Sequence, residues 1–235
     1  MPKYYPVMLD VRGRSAIVIG GDRVAAEKAT ALWESGANVQ ILSPVFCDEL
    51  LRLAEQERVT LRHKNYEPGD LAGAFVVIAA TSDPQLVQSI WSETQERGQL
   101  VNIVDMPKYC SFILPSILRR EQLTIAVSTE GASPGLAKRI RHSLEESFPL
   151  AYGPYLQLAT QARAHLRAHG VSYDRRDDFF GNFFTSDVLT CLVQGNKAQA
   201  AITTAALLQK FGIDVPASEL EAALEEEKEY VDRAI

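Results

Sequence analysis

Short apolar runs alternate with helix-like stretches through the first hundred residues, the pattern expected of strands buried on both faces and joined by helices. Ser15-Ala16-Ile17-Val18-Ile19 meets Gly20-Gly21 and passes into helix-like sequence from Asp22 to Lys28. Residues 37–44 read as a second buried strand, with Gly36 closing the preceding helix and a Ser-Pro turn following. Residues 47–58 read as a helix, 59–63 as a strand, and 75–81 as a continuous apolar run. Ser82-Asp83-Pro84 supplies an N-cap and a first-turn proline for a helix to about Arg97, and 100–105 is the next strand. This alternation predicts an α/β fold, a Rossmann-like doubly wound parallel sheet.

The pattern changes after residue 112. Residues 112–118 and 123–128 are apolar segments joined by Arg119-Arg120-Glu121-Gln122, which predicts a hairpin. A polar loop, 128–134, leads into a helix opened by Pro134 and running to about Phe148, where Pro149 stops it. From Pro154 the chain reads as helical, over 155–169, 186–193 and 196–211. A last helix is announced by a capping box, Ser218-x-x-Glu221, and runs to the C-terminus. Three regions follow: 1–112, a nucleotide-binding domain; 113–150, a small central region; 151–235, a helical C-terminal domain.

Composition narrows the function. With 235 residues, 46% hydrophobic and 23% charged, the chain is an ordinary globular protein, and a net charge of −6 argues against a general nucleic-acid binder. No apolar run approaches the roughly 20 residues of a membrane span and the N-terminus has no apolar leader, so a cytoplasmic protein without membrane partners is expected. Cys47, Cys110 and Cys191 are too scattered for a disulfide framework or a thiolate zinc site, and reduced thiols fit best. His165 and His169 have metal-ligand spacing but no third ligand nearby, and no metal is predicted. The run Phe179-Phe180-Gly181-Asn182-Phe183-Phe184 reads as packing or an interface, and Glu225-Glu226-Glu227 as a solvated helix face.

Chemistry concentrates at strand ends. A parallel strand entering a helix through glycines collects unpaired N–H groups and the positive helix end, which suits a dinucleotide pyrophosphate. Here Gly20 and Ala25 fill the first and last places of G-x-G-x-x-G/A, while Asp22 stands for the middle glycine and would either repel a pyrophosphate or cap the helix. The second strand ends in Ser43 where an acidic ribose anchor is usual, which leaves NAD against NADP open. Asp105 ends a strand at the edge where such sheets hold ligands, and it is either catalytic or a cap for the turn before Pro107. The loop 128–133 could bind carboxylates or merely cap its helix. Arg119, Arg120, Lys138, Arg139 and Arg141 flank that loop in sequence, as anion ligands or as solvated charge.

Taken in order, Ile19-Gly20-Gly21 with Val24-Ala25 and Lys28, Ala79-Ala80-Thr81, Val101-Asn102-Ile103-Val104-Asp105, 111–117, and 125–129 with Ser133-Pro134-Gly135-Leu136-Ala137 resemble the precorrin-2 dehydrogenases of siroheme biosynthesis and the N-terminal half of siroheme synthases, over about the first 150 residues. The resemblance implies a Rossmann domain, a central region that forms a homodimer, a helical domain, and an active site in the cleft between them. It implies NAD as cofactor, precorrin-2, an octacarboxylate tetrapyrrole, as substrate, and Asp105 as general base. It places Arg23, Val24, Pro44, Val45, Thr81 and Asn102 on the cofactor, and with Gly20, Gly21, Asp22 and Ser43 of the strand ends these are the expected cofactor contacts. Ser128 and Thr129 match its substrate-facing loop, and with Ser133, Arg119, Arg120 and Lys138 they are the expected substrate contacts. Some relatives also insert ferrous iron into sirohydrochlorin, and the residues leave that activity open, as they do a non-catalytic NAD-sensing module. Asp22, Glu130 in place of a usual glycine, and the region beyond Asn196 depart from the family pattern.

Overall fold

The structure, a computed structural model, describes residues 3–226 and divides into two compact units after Leu114. The first unit runs β1 (Ser15–Ile19), α1 (Arg23–Glu34), β2 (Asn38–Ser43), α2 (Asp48–Glu55), β3 (Thr60–His63), β4 (Val76–Ala79), α3 (Pro84–Glu96) and β5 (Leu100–Ile103). Its five strands lie in the order β3-β2-β1-β4-β5 and every pair is parallel. Successive side chains of a strand point to opposite faces, so β1 sends Ala16 and Val18 into one core with Ile41 and Leu50, and Ile17 and Ile19 into the other with Val77, Ile90 and Val101. Helices on both faces bury the middle of the sheet, which is why the central strands β1 and β4 read as continuous apolar runs, whereas the edge strand β3 is Thr60-Leu61-Arg62-His63.

One buried charge ties the segment between β3 and β4 to α3. The Glu93 carboxylate accepts hydrogen bonds from Tyr66 Oη at 2.6 Å, Gly69 N at 2.9 Å, Leu71 N at 3.3 Å and Arg97 Nε at 2.9 Å. Burial pushes its pKa upward, but these donors outweigh burial and hold it below the ordinary glutamate value.

The second unit opens with an antiparallel hairpin, β6 (Ser116–Arg120) and β7 (Leu123–Val127), then α4 (Pro134–Ser147), α5 (Tyr152–Ala168), α6 (Tyr173–Phe184), α7 (Val188–Val193), α8 (Lys197–Gln209) and α9 (Ala217–Glu226). The hairpin tip is fastened to α5: Gln157 Nε2 donates to the Glu121 carboxylate at 2.8 Å, and Thr160 Oγ1 to Gln122 Oε1 at 3.1 Å. Gly153 permits this approach, because a Cβ there would lie 2.5 Å from the Glu121 carboxyl carbon. The phenylalanine run packs as expected: it belongs to α6, where Phe179, Phe180 and Phe183 are core residues while Phe184 is exposed. The capping box does not form as expected, since α9 begins at Ala217 and puts Ser218 inside the first turn. The stretch of the last predicted helix beyond 226, with Glu227, lies outside the described residues.

Candidate functional site

The chain leaves β1 toward β2 on one side and returns from β3 to β4 on the other, so the crevice of the sheet opens at the carboxyl ends of β1 and β4. Gly20 sits there with φ +133°, and a Cβ on it would stand 3.0 Å from both Cβ and O of Ala80. A Cβ on Gly21 would lie 1.8 Å from the Val45 carbonyl oxygen and 2.5 Å from Ser43 Oγ. Cys47 N donates to Gly21 O at 2.7 Å, which locks the β1–α1 turn onto the β2–α2 turn. The absence of two side chains therefore shapes this turn.

Asp22 is the N-cap of α1: its Oδ1 accepts from Ala25 N at 2.9 Å. The N–H groups of Gly21, Asp22, Arg23 and Val24 have no protein acceptor among the described residues, and they surround the positive end of α1. Four free donors at a helix start, closed behind by Ala25, fit a dinucleotide pyrophosphate, with the Asp22 carboxylate at the rim.

The other expected cofactor residues divide. Arg23, Val24, Pro44 and Val45 are exposed around the turn, Val45 at 73%. Ser43 is buried and its hydroxyl donates to Val45 O at 2.7 Å, so it fastens its own loop. Asn102, also buried, donates from Nδ2 to Phe112 O at 2.9 Å, and Thr81 Oγ1 accepts from Asp83 N at 3.2 Å. These two side chains shape the crevice from behind by fixing the segments after β4 and β5.

Asp105 follows β5 in a turn closed by Met106 N donating to Ile103 O at 3.1 Å. It is exposed, has φ +59°, and its carboxylate makes no hydrogen bond or ion pair among the described residues. The turn before Pro107 uses Met106 at its cap position, without a side-chain bond, so Asp105 does not cap it. Because Ala80 N bonds Ile19 O and Val104 N bonds Ala79 O, the ends of β1, β4 and β5 stand side by side. Asp105 is thus two strand spacings, about 10 Å, from the glycine turn.

In the second unit the loop 128–133 is knitted internally. Ser128 Oγ accepts from Glu130 N at 3.0 Å, Thr129 Oγ1 from Ser133 N at 3.1 Å, and Ser133 Oγ caps α4 by accepting from Leu136 N at 3.3 Å. Glu130 takes φ +52°, the left-handed region that favours glycine. The basic residues do not all flank this loop. The hairpin register pairs Ser116 with Val127 but Arg119 with Thr124 and Arg120 with Leu123, which sends both arginines to the far end of β6, about 14 Å from the loop. Arg120 is also engaged, donating from Nε to Phe148 O at 2.8 Å and closing the end of α4. It lines, with Glu145, Leu150 and Val193, an open groove of about 470 Å³. Lys138 stays exposed on α4 beside the loop in sequence. His165 contacts Glu219 at 3.4 Å, and no group of three His, Cys, Asp or Glu side chains able to hold a metal occurs among the described residues.

A doubly wound parallel sheet with a donor-lined glycine turn at its crevice is the arrangement of a Rossmann-type dinucleotide-binding domain. A family model of NAD(P)-binding domains matches residues 7–116, and one of the sirohaem biosynthesis protein central region matches 120–147. The siroheme synthase of Nitrosococcus oceani is 32% identical over 198 residues, which cover 84% of this chain and 42% of that protein, and the one from Nitrosomonas eutropha is 36% identical over 199 residues with the same coverage. The solved structure of SirC, precorrin-2 dehydrogenase, superposes with a TM-score of 0.73 at 26% identity, covering 88% of this chain and 98% of that one. The chain thus carries an NAD(P)-binding domain followed by a sirohaem biosynthesis central region, and over most of its length it is similar to siroheme synthases and to SirC. It spans less than half the length of the curated relatives it matches.

Proposed function

We propose that the chain is an NAD-dependent dehydrogenase that oxidises precorrin-2 to sirohydrochlorin, with Asp105 as general base. The observation that carries this reading is an exposed strand-end carboxylate without an internal partner, two strands from a glycine turn lined with free N–H groups. The oxidation removes one hydride and one proton. Bound NAD supplies the hydride acceptor. Asp105 takes the proton on a carboxylate oxygen, a task for which an unpaired, solvated carboxylate in reach is suited. Gly21, Asp22, Arg23 and Val24 hold the pyrophosphate through their N–H groups, and Val24, Pro44 and Val45 offer apolar surface beside it. Ser128, Thr129, Ser133 and Lys138 are our assignment for the carboxylates of the substrate, with Arg119 contributing charge from the far end of the hairpin.

The same reading makes the chain a homodimer through β6 and α4, where Ile117, Leu136 and Ile140 are exposed apolar side chains. The test is anaerobic incubation of the purified protein with precorrin-2, with and without NAD, followed by absorbance. Sirohydrochlorin formed only with NAD is expected, and its absence would sink the assignment. Ferrous iron added to the product then asks whether the chain also catalyses insertion.

A further inference from the structure

The ribose end of the cofactor site lacks its usual anchor. β2 ends in Ser43, whose proton goes to Val45 O, so neither a carboxylate nor a free hydroxyl waits there. Two charged side chains stand over the same seam instead. Arg23 opens α1 immediately after the Asp22 cap, and Glu49 lies in the first turn of α2, two residues after the Cys47 whose N–H holds Gly21 O. Their side chains meet across the two turns, Arg23 Nε to Glu49 Oε1 at 3.6 Å, with Arg52 Nη2 4.0 Å from the same oxygen. Arg23 is 87% exposed and Glu49 41%, so both are open to a ligand. The N–H of Glu49 itself and the Cys47 side chain, with Arg23 and Arg52 behind them, hold the Glu49 carboxyl below its ordinary value, and it is ionised at neutral pH.

In Rossmann sites a carboxylate near the end of the second strand accepts the ribose 2′-hydroxyl of NAD, whereas an arginine there receives the 2′-phosphate of NADP. This chain holds both groups, paired with each other. We propose that Glu49 is the residue that selects NAD over NADP: it occupies Arg23, the natural 2′-phosphate receptor, and sets a negative charge against that phosphate. Removing the charge frees Arg23 and admits NADP. The inference rests on the dehydrogenase reading only in so far as that reading requires dinucleotide binding.

The test is equilibrium binding of NAD and NADP to the whole chain, followed by calorimetry or by quenching of intrinsic fluorescence. The parent should bind NAD more tightly. Glu49→Gln should lower the ratio Kd(NADP)/Kd(NAD) by about tenfold, the effect of deleting one charge near a phosphate at the protein surface. Glu49→Gln combined with Arg23→Ala should lose that gain, which would separate a freed receptor from simple relief of repulsion. A ratio in Glu49→Gln within twofold of the parent, or a gain that survives loss of Arg23, overturns the pairing role while leaving NAD binding and the dehydrogenase reading intact. A parent that binds neither dinucleotide overturns both.

Discussion

The β1–α1 turn is packed against the β2–α2 turn so closely that one added methyl group tests the whole arrangement. Gly21→Ala places a Cβ 1.8 Å from the Val45 carbonyl oxygen and 2.9 Å from its carbonyl carbon, whereas real Cβ contacts stay beyond 3.0 Å. The obstacle is backbone, so no rotamer change relieves it, and the two turns must part. Parting them stretches the 2.7 Å bond from Cys47 N to Gly21 O. Overpacking of this kind costs about 1–3 kcal/mol, and a lost backbone hydrogen bond adds about 0.5–1.5 kcal/mol. A total of about 2–4 kcal/mol corresponds to a fall in Tm of roughly 4–16 °C for a chain of this size. Trp33 and Trp91, the chain's two tryptophans, both lie in the first unit and report its melting by fluorescence. Gly181→Ala is the contrast. That glycine sits in α6 with no neighbouring atom within 4 Å of an added Cβ, and alanine there should stabilise by about 0.5–1 kcal/mol, visible as a slightly later loss of helical circular dichroism. A Gly21→Ala midpoint within one degree of the parent would refute the reasoning, because it would mean the turns separate freely and the cradle does not depend on a missing side chain.

Further outcomes follow from single residues. Asp105→Asn should lower kcat by at least about 100-fold, the usual worth of a general base, with an unchanged melting temperature, since asparagine tolerates the left-handed backbone that Asp105 occupies; a near-parental rate removes Asp105 from the mechanism. Asp22→Asn keeps the cap on Ala25 N while deleting the charge at the rim, so the Kd for NAD should fall by about 3–10-fold, and an unchanged Kd shows that the carboxylate does not repel the cofactor. For Glu93 and Asp70, burial raises the pKa, yet hydrogen bonds from Tyr66 and Gly69 to the first, and from Glu67 N, Lys64 and Arg62 to the second, leave both below their ordinary values. Their stabilisation is therefore complete above about pH 4.5 and fades as the pH falls through the lower folded values. Glu93→Gln should flatten the acid limb of a stability–pH curve below that point, and a slope equal to the parent's would contradict the buried network.

What could be read in advance followed burial. The central strands β1 and β4 are apolar on both faces, and Asp83-Pro84 and Ser133-Pro134 mark helix starts that the structure places at Pro84 and Pro134. The α6 helix was hidden because Arg175 to Asp178 is a run of charges and Gly181 interrupts the rest, although Phe179 and Phe183, four apart, already share a face. Arg119 and Arg120 look adjacent to the loop 128–133 only along the chain, and the antiparallel return of β7 carries the loop away from them. Nothing local foretells the buried Glu93, because three of its four donors, Tyr66, Gly69 and Leu71, lie 22 to 27 residues earlier.

Asp22 shows how a motif can lose a glycine and keep its geometry. The middle glycine of the fingerprint serves close approach of backbone to the pyrophosphate, and an aspartate there opposes it by bulk and by charge. The bulk is resolved within α1 itself, since the side chain folds back onto Ala25 N and leaves the N–H groups of Arg23 and Val24 facing outward. The demand for a residue without a side chain has moved one place earlier, to Gly21, where the contact is between two turns of the protein rather than between protein and ligand. The charge is not resolved in this way. It stands at the rim of the cradle, next to Arg23 in sequence, so the chain sets two carboxylates, Asp22 and Glu49, where most dinucleotide sites need only a single acid, while Glu49 engages both Arg23 and Arg52. On the proposal made for Glu49, a carboxylate at the rim and a second one that occupies the nearby guanidinium both work against an added phosphate, so Asp22 and Glu49 act in the same direction although only one of them lies within the fingerprint.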